Sequence, residues 1–127
     1  MHIQRLPDAE LEIMKIVWLS NKAITSAQIM AALVGKKEWV LSTVLNFLSR
    51  LADRGFITIQ RYGRANMYTP IISEERYLES ESKSFLARLH GNSFKSLVAA
   101  LYDGMAISDN DLRELKDFIN EKAGDEL

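Results

Sequence analysis

Cysteine is absent from all 127 residues. Disulfides, thiol nucleophiles, iron–sulfur clusters and cysteine–zinc sites are excluded with it. Histidine is nearly as scarce. The chain has two, His2 and His90, too far apart in sequence to form a paired metal or catalytic motif. No apolar run approaches the roughly 18 residues that a membrane span requires, so no membrane insertion is expected. The opening Met-His-Ile-Gln-Arg-Leu-Pro lacks the apolar stretch of a signal peptide, and a cytoplasmic location is expected. There is no Gly-rich phosphate loop and no Ser-centred elbow. The acids Glu74-Glu75 and Asp109-Asn110-Asp111 sit where helix starts are expected, so capping accounts for them. These absences point to a protein that is not an enzyme, with no metal and no cofactor.

What remains is an ordinary globular composition, 47% apolar and 26% charged, long enough to bury a core. The net charge of −1 hides an asymmetry. Residues 1–70 carry nine Lys/Arg against five Asp/Glu; residues 71–127 carry seven against twelve. A basic front and an acidic back suggest one part facing a polyanion and another facing something else.

The front part reads as helix, short strand, helix, helix, hairpin. Leu6-Pro7-Asp8-Ala9-Glu10 places proline and acids at a helix start, and Leu11, Met14, Val17 and Trp18 form an inward stripe. Thr25 and Gln28 fit a capping box for a second helix of about ten residues, stopped by Gly35. A third helix runs from Leu41 to Arg54. Its Val44, Phe47, Leu48 and Leu51 share one face, and small hydrogen-bonding side chains (Ser42, Thr43, Asn46, Ser49) fill the other beside Arg50 and Asp53. Phe56–Arg61 and Asn66–Thr69 then alternate as two strands around a Tyr62-Gly63-Arg64-Ala65 turn. Three short helices and a basic hairpin predict a winged helix-turn-helix over residues 1–71.

From Ser73 the pattern is purely helical. One helix runs to about Leu89 with a polar middle, and His90 stands at its end, where an imidazolium suits the dipole. A second begins at Ser93 and carries Phe94, Leu97, Val98 and Leu101. A third begins at Ser108 and carries Leu112, Leu115 and Phe118. Three such helices cannot bury their stripes alone. Residues 72–127 are therefore expected to form a dimerisation domain, with those seven residues at a homodimer interface. The predicted fold is mainly α with a small β-hairpin: a winged helix-turn-helix followed by a three-helix dimerisation domain.

In a helix-turn-helix the second helix of the motif enters the major groove of double-stranded DNA. On residues 41–54, Asn46 suits an adenine edge, Thr43 a thymine methyl, and Ser42 a close approach. Arg50 suits guanine or phosphate, or alternatively an ion pair with Asp53. Lys36, Lys37, Arg61 and Arg64 suit phosphates. The competing reading is a winged-helix module that binds protein rather than DNA.

The stretch from Trp39 to Ile57, Asp8 to Trp18, and Gly91 to Val98 followed by Ser108 to Leu115 together resemble the BlaI/MecI (penicillinase repressor) family over nearly the whole chain. The resemblance implies a homodimeric, sequence-specific repressor on a palindromic operator, relieved by a membrane sensor protease that cuts the C-terminal domain. The cut bond, Asn–Phe in the best-known members, falls here at Ala100–Leu101. Leu45 stands where several members have a basic residue. The copper-responsive branch uses a cysteine-rich site, which this chain lacks.

Overall fold

A computed structural model describes residues 3–124, and His2 lies outside them. The element order is α1 (Asp8–Ser20), β1 (Ile24–Thr25), α2 (Ser26–Leu33), α3 (Leu41–Asp53), β2 (Ile57–Tyr62), β3 (Ala65–Pro70), α4 (Glu74–His90), α5 (Phe94–Asp103) and α6 (Asp109–Ala123). They fall into two compact units, one ending at Glu81 and the other beginning at Ser82.

Local chemistry starts most of these elements. Pro7 caps α1, and its carbonyl accepts the Leu11 N–H at 2.9 Å. Thr25 and Gln28 form both bonds of the capping box on α2. That helix holds eight residues rather than about ten, because the chain turns at Val34 and takes a left-handed conformation at Gly35. The Ser73, Ser93 and Ser108 hydroxyls each accept an N–H three residues on, at 3.0–3.1 Å.

In the first unit the apolar stripes of α1, α2 and α3 converge. Ile13, Met14, Val17, Ile29, Leu33, Val44, Leu48, Leu51 and Phe56 are all buried there. The predicted hairpin is enlarged to a three-stranded antiparallel sheet of order β1-β3-β2, with Ile24 paired to Tyr68 and Thr25 to Met67. The α2 cap holds Thr25, the second residue of β1, in the extended conformation that this pairing needs.

The first unit also extends past residue 71, where the change of sequence pattern placed the boundary. Tyr77, on the first turns of α4, is buried against Trp18 and Phe56, with ring centroids 5.7 Å from each. Its hydroxyl accepts the Leu6 N–H at 3.0 Å. Burial raises the Tyr77 phenol above its ordinary pKa. Trp18 Nε1 donates to the Ile72 carbonyl at 2.9 Å, and Arg5 faces Glu81 at 3.5 Å. Replacing Tyr77 by phenylalanine strands the buried Leu6 N–H. The expected loss is about 1–2 kcal/mol in urea unfolding followed by tryptophan fluorescence; an unchanged midpoint would show that water replaces the hydroxyl.

The second unit contains the rest of α4 with α5 and α6. His90 ends α4, its Nδ1 2.9 Å from the Ser96 hydroxyl. The Tyr102 hydroxyl donates to Asp109 at 2.7 Å, which raises its pKa. None of the described residues on α5 or α6 is fully buried. Phe94, Val98, Tyr102, Leu112, Leu115 and Ile119 line an open, almost wholly apolar groove. Leu97, Val98, Leu112 and Leu115 are half-buried, whereas Phe94, Leu101 and Phe118 are exposed. Among the described residues no helix is long and apolar enough to cross a membrane, and no three side chains are grouped to hold a metal ion.

Candidate nucleic-acid interface

Helix α3 turns Val44, Leu48 and Leu51 into the core. At about 100° per residue, Ser42, Asn46, Ser49 and Asp53 therefore project straight outward, and all four are exposed. Arg50 is exposed beside them and forms no ion pair with Asp53. Thr43 departs from its expected place. It is half-buried on the shoulder of α3 nearer Phe47, so its methyl is less available to a groove than those of the residues around it.

The connector from α2 to α3 is fixed by an aromatic anchor. Trp39 packs edge-on against Phe47, with centroids 5.1 Å apart. The Lys37 ammonium lies over the Trp39 ring at 5.6 Å. The backbone N–H groups of Lys36 and Lys37 both bond the Leu33 carbonyl. Two exposed cations are thus held just ahead of α3 by packing and main-chain bonds, leaving their charge available.

The wing supplies two more. Tyr62 pairs with Ala65, so Gly63-Arg64 is a two-residue hairpin loop. Its positive φ falls at Gly63 (φ 61°) and not at Arg64, the pattern of a type II′ turn. A side chain at Gly63 would be strained there. Arg61 Nε donates to the Gly63 carbonyl at 3.2 Å, which folds the guanidinium over the turn. Arg64 stands at the tip, exposed.

One pair escaped the sequence reading. Glu10, in the first turn of α1, is buried and ion-paired with Arg54, which caps the C-terminal end of α3. As a first-turn acid it looked like an ordinary partner of the helix dipole. Its true partner lies 44 residues away, and no local spacing announces it. Val40 and Leu41, at the start of α3, are exposed apolar side chains.

A family model described as penicillinase repressor matches residues 6–121. A penicillinase repressor from Bacillus licheniformis is 31% identical over 119 residues, covering 94% of this chain and 92% of that protein. The methicillin resistance regulatory protein MecI of Staphylococcus aureus (strain N315) is 26% identical, covering 92% and 94%. Among solved structures, the DNA-binding domain of the repressor BlaI superposes with a TM-score of 0.52 at 33% identity, over 61% of this chain and 94% of that one. The Bacillus licheniformis BlaI monomeric form in complex with the blaP half-operator does so with a TM-score of 0.50 at 33% identity, over 59% and 90%.

Proposed function

This chain belongs to the penicillinase repressor family, and from that premise we propose that it is a sequence-specific DNA-binding transcriptional repressor acting as a homodimer on a palindromic operator. The observation that carries the reading is the outer face of the first unit. Ser42, Asn46, Ser49 and Arg50 are all exposed on α3, and the exposed cations Lys36 and Lys37 precede that helix in the chain while Arg61 and Arg64 follow it on the wing. The same fold, at 33% identity, is solved in BlaI with a half-operator. Small polar side chains let α3 approach base edges, Asn46 has the bidentate amide an adenine takes, and the four cations suit phosphates.

The apolar groove of α5 and α6 supports a second copy of the chain as its cover. Two joined heads would then meet half-sites about 34–36 Å apart if they are one helical turn apart. Relief of repression on this reading is a cut at Ala100–Leu101 by a membrane sensor protease. The bond lies within α5 and both residues are exposed. A protease takes an extended segment, so α5 must first open locally.

Fluorescence anisotropy with duplex from upstream of the protein's own gene, against a scrambled duplex at two salt concentrations, tests the reading. Tight, selective, salt-steep binding is expected. Arg64→Ala removes one phosphate contact from each of the two protomers, so it should weaken binding to both duplexes alike and reduce the salt slope by about two. Absence of binding even at low salt would overturn the reading in favour of a protein-binding wing, and an unchanged slope would remove Arg64 from the phosphate contacts.

A further inference from the structure

The leading end of α3 carries an apolar edge that the first unit does not use. Val40 is 62% exposed, Leu41 47% and Leu45 38%. Single exposed apolar residues are commonplace. Three within six positions, on the helix that a helix-turn-helix presents to the groove, are not scattered. By the same angular arithmetic, Leu45 lies on the shoulder of the outward face opposite Thr43, and Leu41 lies one turn ahead of it on the N-terminal rim. The N-terminal residues of such a helix are the ones that meet base edges.

The surroundings say what covers this edge. Residues 41–48 contain no acid; Lys36 and Lys37 precede them, with the single acid Glu38 in the connector, and Arg50 follows. Arg61 and Arg64 stand on the wing of the same unit. A greasy edge framed by cations suits a polyanion that itself displays apolar groups. In the major groove the only such group is the C5-methyl of thymine. Resting on the repressor reading above, we propose that Leu41 and Leu45 read thymine methyl groups. Each half-site then requires thymines under the first turns of α3, and hydrophobic contact rather than hydrogen bonding sets the specificity there.

Deoxyuridine in place of thymidine removes that methyl and leaves every base-edge hydrogen-bonding group intact. The full-length protein selects a tight duplex from a random library, and each thymine of the selected site is then replaced in turn by deoxyuridine. At one or two positions per half-site, methyl loss is expected to lower affinity about fourfold, the value of one buried methyl-sized group. In Leu45→Ala or Leu41→Ala the penalty at the matching position should disappear. Both side chains are exposed, so the unfolding midpoints should not move, and Leu45→Gln keeps the bulk while removing the apolar contact. A tight duplex insensitive to every thymine-to-uracil change, or equally sensitive in the alanine variants, overturns this proposal and leaves the repressor reading standing. Failure to select any duplex overturns both.

Discussion

Replacing Arg54 by leucine is expected to cost the first unit about 3 kcal/mol. The Glu10 carboxylate is 2% exposed, and among the described residues its only charged partner is the Arg54 guanidinium. Remove the guanidinium and a carboxylate is left in the core without a counter-charge or a donor. The effect lies in the stranded charge rather than in the pair itself. Glu10→Leu combined with Arg54→Leu should therefore recover most of the loss, because neither charge then remains to be solvated. The chain has two tryptophans, and Trp18 and Trp39 both pack in the first unit, so urea unfolding followed by their fluorescence reports that unit directly. A loss below about 1 kcal/mol for Arg54→Leu, or a double variant no better than the single, would show that water reaches Glu10. The pair also ties the C-terminal end of α3 to the first turn of α1. Arg54→Leu should accordingly weaken DNA binding at temperatures where the unit is still folded.

That pair marks the boundary of what the sequence discloses. Elements started by local chemistry were legible: Pro7 with its acids, Thr25 with Gln28, and Ser108 with Asp111 each satisfy helix-end N–H groups within a few residues. The outer face of α3 was legible for a related reason, since a 3.6-residue period assigns Ser42, Asn46 and Ser49 to one side once Val44, Leu48 and Leu51 claim the other. Contacts between distant elements were not. Tyr77 sits in a helix whose composition is polar, and only the placement of Trp18 and Phe56 makes its ring part of the core. Thr43 shows the same limit at finer scale. It shares the polar character of Ser42, yet the next position round the helix is turned toward Phe47, and the small polar face is narrower than composition suggested. Val40 and Leu41 lie at the start of α3, outside the stripe of Val44, Phe47, Leu48 and Leu51, and only their burial shows them as exposed apolar surface.

In the proposed homodimer, Phe118→Asp is expected to separate the two copies and to lower affinity for a full palindromic site by about 10²- to 10⁴-fold. The second unit is too small to support a core by itself, and none of the described residues of α5 or α6 is buried in the single chain. Phe118 is 55% exposed and Phe94 50%, so an aspartate at either place disturbs the single chain little. Phe94 lines the groove and Phe118 stands outside its lining, one helical turn from Leu115; an aspartate at either meets apolar surface only when a second copy covers this side of α5 and α6. The loss on DNA follows from geometry. Two heads joined through their second units bind the second half-site as an intramolecular event, and separation forfeits that effective concentration without removing one DNA contact. Affinity for an isolated half-site should therefore be the same in wild type and variant, which distinguishes lost linkage from a damaged head. Sedimentation of both proteins at micromolar concentration, beside anisotropy on full and half-site duplexes, checks each step. Phe94→Asp should behave alike. If either variant sediments as a dimer, that side chain lies outside the interface. If a monomeric variant holds the full site as tightly as wild type, the second unit does not couple the heads.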